Sequence, residues 1–303
     1  MKSIYALIAL LAVTACAPKK NSLPPVDPAA YRAEIDAWHE KRIEELRGAK
    51  GWLNIAGLFW LKEGINTFGS DPTNDIIFPE GKIPGRAGYF VLKQNTVTLE
   101  TANGVEITSG DKPVKQLVAF NPDSARQAPS MSYGSLEWFI IRRDDKFGVR
   151  LRDFKNPELE NFKGIERFPV DSKWRIHAEF EKADSTKTID VTNVLGQTSA
   201  QPSPGTLVFE IEGKSYRLDA LDEGGDEYFI IVGDETNTQT TYGARRYLYV
   251  AKPDANATTI IDFNKAYNPP CAFTAFATCP LPPKQNILAV SITAGEKNYG
   301  DYH

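Results

Sequence analysis

From Gly51 onward the chain breaks into short runs in which apolar and polar side chains alternate. That pattern leaves room for little except antiparallel β-structure. Trp174, Ile176, Ala178 and Phe180 interleave with Arg175, His177 and Glu179, as in a half-buried strand. Strands are predicted over 52–61, 74–78, 89–93, 96–100, 105–108, 116–120, 136–143 and 147–154. Further strands are predicted over 174–180, 206–211, 215–221, 228–232, 246–250, 258–264 and 287–293. Asp144-Asp145-Lys146 and Gly213-Lys214 sit between such runs as hairpin turns. One helix stands apart. Asp27-Pro28 supplies an N-cap and a first-turn proline, Tyr31, Ile35 and Trp38 recur at helical spacing, and Gly48 is the expected stop. Helices do not alternate with strands. The expected fold is therefore all-β, an antiparallel sandwich or barrel-like domain over 28–303 with one N-terminal amphipathic helix.

The first residues carry a different signal. Lys2 is followed by an apolar stretch from Ile4 to Val13, too short to span a bilayer, and then by Thr14-Ala15-Cys16. Val13 to Cys16 resembles a bacterial lipobox. The expectation is a lipoprotein signal peptide over 1–15, lipidation of Cys16, and a Pro-rich tether over 16–27. The mature protein would then lie in the cell envelope, extracytoplasmic and anchored to the membrane by lipid on Cys16. An ordinary signal peptide with an incidental cysteine is the alternative.

Composition narrows the possible partners. The net charge is −4, and loss of Lys2 would leave −5. The chain has no Lys/Arg run, so nucleic acid is not an expected partner. A hydrophobic fraction of 42% is enough to build a core. Once Cys16 is acylated, Cys271 and Cys279 remain as an even pair in an oxidising compartment. They are expected to form a disulfide, with two buried free thiols as the alternative. Zinc needs more ligands at tighter spacing, so neither a metal nor a cofactor is expected. His39, His177 and His303 have no evident partner, which argues against a histidine-based site.

Two regions hold candidate binding residues. Arg150 and Arg152 share one face of a strand, with Val149 and Leu151 on the other, and two guanidiniums on one face can grip an anion. A solvated, charge-paired face is the alternative. The second region is 241–297, where Tyr242, Arg246, Asp262, Asn264, Tyr267, Asn268, Asn286 and Glu296 are interleaved with prolines and phenylalanines. Folding the chain back about Asp254 pairs Val250 with Thr258, Leu248 with Ile260 and Arg246 with Asp262. The reading that follows is a buried Arg246–Asp262 contact on one strand face.

These same residues carry a resemblance. Thr241-Tyr242-Gly243, Arg246-Tyr247-Leu248, Asp262-Phe263-Asn264 and the run from Ala266 to Phe273 resemble the bacterial and archaeal domain-of-unknown-function family 1684. Cys279 to Pro283, Asn286 and Ala294-Gly295-Glu296 extend the likeness. Gly57 to Leu61 and Arg150 to Asp153 are similar to earlier blocks of the family. The resemblance implies no activity. One departure stands out: the family usually has glycine where this chain has Arg245.

Three functional readings follow. The leading one is a lipid-anchored extracytoplasmic protein that binds a small polar or anionic ligand through Arg150, Arg152, Tyr242, Arg246, Asp262, Asn264, Tyr267 and Asn268. The second is a structural envelope lipoprotein whose polar motif locks a loop. The third is an enzyme with Glu296 as acid or base and Arg246 as electrostatic clamp.

Overall fold

The computed structural model describes residues 23–124 and 128–300. The signal segment, Cys16 and His303 lie outside the described residues. Helix α1 (Pro28–Arg47) comes first. Its N-cap is Asp27, whose side chain accepts from the Ala30 amide at 2.8 Å, and Gly48 closes it by donating to the Glu44 carbonyl.

Eleven strands follow, β1 (Ile55–Trp60), β2 (Gly64–Gly69), β3 (Ile76–Ile77), β4 (Gly88–Lys93), β5 (Thr96–Thr101), β6 (Thr108–Ser109), β7 (Lys112–Pro113), β8 (Gln116–Phe120), β9 (Met131–Tyr133), β10 (Leu136–Arg143) and β11 (Lys146–Asp153). They form a six-stranded sheet ordered β1-β11-β10-β9-β6-β7 and a five-stranded sheet ordered β3-β2-β4-β5-β8. Both sheets contribute to one buried cluster that includes Phe68, Phe90, Trp138, Val149 and Leu151.

After a short helix, α2 (Pro157–Asn161), eight more strands follow, β12 (Arg175–Lys182), β13 (Thr188–Thr192), β14 (Thr198–Pro202), β15 (Gly205–Ile211), β16 (Lys214–Asp219), β17 (Glu227–Val232), β18 (Arg246–Ala251) and β19 (Thr258–Asp262). The sheet β16-β15-β12-β19 and the pair β17-β18 enclose a second cluster with Leu207, Ile230, Leu248, Ile261 and Phe263, while β13 and β14 form a separate hairpin. The fold is all-β; among the described residues there is one long helix, near the N-terminus, and every strand pairing except β2–β3 is antiparallel. Helix α1 lies along the second half, where Tyr31 meets Asp262, Lys265 meets Glu34 and Arg42 meets Asn268.

The structure departs from the sequence reading in three places. The chain does turn at Asp254, whose carboxylate accepts from the Asn256 and Thr258 amides. The strands on either side then part into opposing sheets, with β18 beside β17 and β19 beside β12. On β19 the inward residues are Thr259 and Ile261, so Ile260 and Asp262 point away from the core that Leu248 and Val250 enter. Second, residues 287–293 form no strand: Leu288 and Val290 bond singly to the Gly233 and Glu235 backbone, and Ile292 takes its partners from the Arg246 and Asp234 side chains. Third, β2, β7, β9, β13 and β14 were not anticipated. Glycines bound β2, and Thr198–Pro202 carries no large apolar residue.

Candidate functional site

Arg246 is wholly buried and does not contact Asp262. Its Nη2 donates to Asp234 Oδ2 at 2.8 Å and to the Ile292 carbonyl at 3.1 Å. Its Nη1 donates to the Ala294 carbonyl and, at 3.4 Å, to that of Glu296. Asp234 is buried too, and its Oδ1 accepts from the Thr236 and Ile292 amides. One ion pair therefore does the work of a missing strand: it satisfies the backbone of the C-terminal segment, which otherwise has few ladder bonds. Expecting Arg246 to need a buried acid was sound. The acid is Asp234, at the end of the neighbouring β17, rather than Asp262 across a hairpin.

Asp262 faces α1 instead. It accepts from Tyr31 Oη at 2.8 Å, and Asn264 Nδ2 donates to the Tyr31 hydroxyl at 2.9 Å and to the Asp171 carbonyl at 3.0 Å. Burial and the adjacent Asp262 raise the Tyr31 hydroxyl above the ordinary tyrosine range. Tyr242 is buried in a cluster with Leu46, Leu53 and Phe273. Arg152 is spent on the Gly51 carbonyl and on Asn54 Oδ1. These residues hold the helix and the connecting loops in place.

Glu296 is buried at the back of the same region. Its Oε2 accepts from the Asn268 amide at 2.6 Å, and Oε1 lies 3.5 Å from Arg42 Nε. Asn268 Nδ2 donates to the Lys297 carbonyl. Burial pushes the Glu296 carboxyl above its ordinary range, against the pull of Arg42 and the Asn268 amide. A raised native value means that the folded chain holds the proton more tightly. That contribution is fully present below the unfolded value of about 4.5 and is lost as pH rises through the higher native one. Glu296→Gln is expected to flatten this part of the stability profile, read as urea midpoints from pH 4.5 to pH 8. A variant that keeps the parent's slope would show that Glu296 is not the source.

Arg150 behaves differently. It is only 6% exposed, and its Nε and Nη2 have no hydrogen-bond partner among the described residues. The guanidinium lies over the Trp52 ring, 5.3 Å from its centroid. Burial, then the nearby charges of Arg143 and Arg152, pulls it down to about 10.

Trp52 and Arg143 line a cleft of about 360 Å³ between the two halves of the protein. Phe229, Tyr247 and Tyr249 contribute from the outer face of β17-β18, with Tyr267 beside them. The Tyr249 and Tyr267 rings lie 6.3 Å apart at 14°, and Arg42 sits 4.7 Å over Tyr267. Arg143 Nε donates to Thr278 Oγ1 at 3.0 Å, and Tyr247 Oη donates to the Pro280 carbonyl at 2.8 Å. Cys271 and Cys279 are joined as a disulfide, and Pro270, Thr278, Cys279 and Pro280 form one wall. Tyr249 donates to Glu223 at the rim, and burial with that carboxylate pushes its hydroxyl up to about 12. Of the eight residues read as ligand-binding, Tyr267 lines this cleft and Arg150 stands behind its Trp52 wall. The other six bond within the protein or fill its core.

Arg42, Trp52, Arg143, Tyr247 and Tyr249 were not singled out from the sequence. One signal for two of them was present. In Arg246-Tyr247-Leu248-Tyr249-Val250 the period of two that sends Arg246, Leu248 and Val250 inward sends both tyrosines out together.

An all-β protein with an aromatic, arginine-bearing cleft between two buried cores is the class that this geometry defines. Residues 160–297 match the model of a family described as "Protein of unknown function (DUF1684)", which supports the resemblance over that segment. The similar upstream runs 57–61 and 150–153 lie outside the matched residues. The solution NMR structure of an uncharacterized protein from Haloarcula marismortui is 28% identical, covering 46% of this chain and 80% of that one, with a TM-score of 0.39. No curated protein matches the chain. Arg245 adopts φ +83, a conformation open to glycine without strain, and its side chain lies over Gly233.

Proposed function

We propose that this is a lipid-anchored extracytoplasmic protein of the cell envelope that binds a small polar or anionic ligand in the aromatic cleft. The observation that carries the binding reading is Arg143, whose guanidinium lines the cleft with no acidic partner among the described residues. A cation held on a concave aromatic wall is completed by an anion. Arg42 lines the same cleft over Tyr267, and Arg150 adds positive charge behind Trp52. Aromatic walls with a few fixed charges suit a small-molecule site, and such sites favour junctions between packed units. Arg246 no longer supports this reading, because its donors are consumed within the protein.

Two measurements test the proposal. Arg150→Met is expected to raise folding stability by about 1–2 kcal/mol, the relief of an uncompensated charge less the lost cation–π contact on Trp52. Arg143→Gln is expected to abolish binding of inorganic phosphate, followed through tryptophan fluorescence. A destabilised Arg150→Met variant ends the reading of Arg150 as an uncompensated charge, and phosphate binding that survives in Arg143→Gln ends the anion reading. For the anchor, the supporting pattern is Lys2, the apolar stretch and Thr14-Ala15-Cys16. Mass spectrometry of the native protein should find acylated Cys16 at its N-terminus, and Cys16→Ala should release the protein from membranes. An unmodified Met1 ends that part.

A further inference from the structure

The aromatic cleft does not end at Arg143. A second chamber of about 250 Å³ adjoins it and shares Arg143, Glu223, Phe229, Thr278 and Pro280 with it. Its far side is the β13–β14 hairpin, where Gln197, Ser199 and Gln201 follow one another at period two and so share a face.

We propose that the continuous groove binds an acidic oligosaccharide, with a carboxylate-bearing ring in the aromatic chamber and a neutral ring over the hairpin. This rests on the reading of the cleft as an anion site, and it adds what the anion is attached to. A bare anion would need the guanidiniums only. It would leave unexplained a wall of Trp52, Phe229, Tyr247, Tyr249 and Tyr267. A purely apolar ligand would leave the Arg143 guanidinium on the groove wall without an anion. A pyranose ring answers both, since its C–H face packs on an aromatic plane while a carboxylate on its edge reaches a guanidinium.

The chemistry of the second chamber differs. Hydroxyls and carboxamides both donate and accept, as sugar hydroxyls do. Asn193 is committed to its own turn, accepting from the Leu195 and Gln197 amides, and Gln201 Nε2 rests on Ser199 Oγ at 2.9 Å. Ser199 and Gln201 can exchange that mutual bond for bonds to a ligand. Asp144 lines this chamber and not the first, and Lys252 offsets Asp222. A second acidic ring would meet the Asp144 carboxylate, so the ring beyond Arg143 is neutral.

The test titrates the detergent-purified full chain with four probes: glucuronic acid linked to glucose, cellobiose, glucuronic acid alone and inorganic phosphate. The acidic disaccharide is expected to bind at least tenfold more tightly than cellobiose or glucuronic acid. Arg143→Gln should cost it tenfold or more and cost cellobiose far less. Gln201→Ala should bring it down to the affinity of glucuronic acid while leaving phosphate unchanged. Circular dichroism should show both variants folded. Glucuronic acid binding as tightly as the disaccharide, or cellobiose doing so, overturns the acidic-oligosaccharide assignment. Phosphate binding that depends on Arg143 without any saccharide binding overturns it too, and leaves the anion site standing. Failure of all four probes ends both readings.

Discussion

Replacing Arg246 by methionine is expected to cost about 3–5 kcal/mol of folding free energy, the usual penalty for breaking one side of a buried ion pair. The side chain has no exposed surface, and Asp234 has none either. Methionine fills much of the same volume, so the loss is electrostatic rather than a cavity. Asp234 would keep its bonds from Thr236 and the Ile292 amide but lose its only countercharge. The Ile292 and Ala294 carbonyls would lose their donor, and each buried unpaired carbonyl adds its own cost. A second substitution separates these contributions. Asp234→Asn in the methionine background removes the uncompensated charge, so the double variant should recover part of the loss while the carbonyls stay unsatisfied. The measurement is a double-mutant cycle from denaturant midpoints. A methionine variant within about 1 kcal/mol of the parent would falsify the assignment of Arg246 as the staple of the C-terminal segment, since that is the range of an exposed pair.

The same residue shows how far the sequence could be read. Period-two alternation identified β12, and short apolar runs bounded by turns identified β17 and β18, and with them the all-β class, because these patterns are local to each strand. The helix was legible for a related reason: Asp27, Pro28 and Gly48 act within one turn of the positions they cap. Strand partners were not legible. A turn at Asp254 fixes where the chain reverses, but not whether the two strands then pair or splay into facing sheets. Arg246 therefore received the acid nearest along the folded-back chain instead of Asp234. Arg150 was found through its strand face, but Trp52, which covers it, is 98 residues away in sequence and meets it only in the folded chain. Arg42 was hidden for a like reason. On a helix rich in charged residues nothing local distinguishes the one that reaches Tyr267 and Glu296.

Opening the Cys271–Cys279 bond, by reduction or by the paired Cys271→Ser and Cys279→Ser substitutions, is expected to cost about 2.5 kcal/mol on the chain-entropy account of a short loop. The two cysteines are eight positions apart with Cα atoms 6.2 Å from each other, within the span that a disulfide bridges. The consequence reaches beyond stability, because the loop is a wall of the cleft. Thr278 holds Arg143, the Pro280 carbonyl holds the Tyr247 hydroxyl, and the Cys279 carbonyl accepts from the Val194 amide of the neighbouring hairpin. Release of the loop lets Arg143 leave Thr278, and a ligand must then pay for ordering both. The open form is accordingly expected to bind phosphate about tenfold more weakly, even under conditions where it remains folded. Paired denaturant titrations give the stability change, and fluorescence titrations of the same samples give the affinity. Equal stability with and without the bond would mean that flanking prolines already fix the loop. The full stability loss with unchanged affinity would mean that the bonds at Thr278, Cys279 and Pro280 hold the wall by themselves, and the cleft would owe nothing to the disulfide.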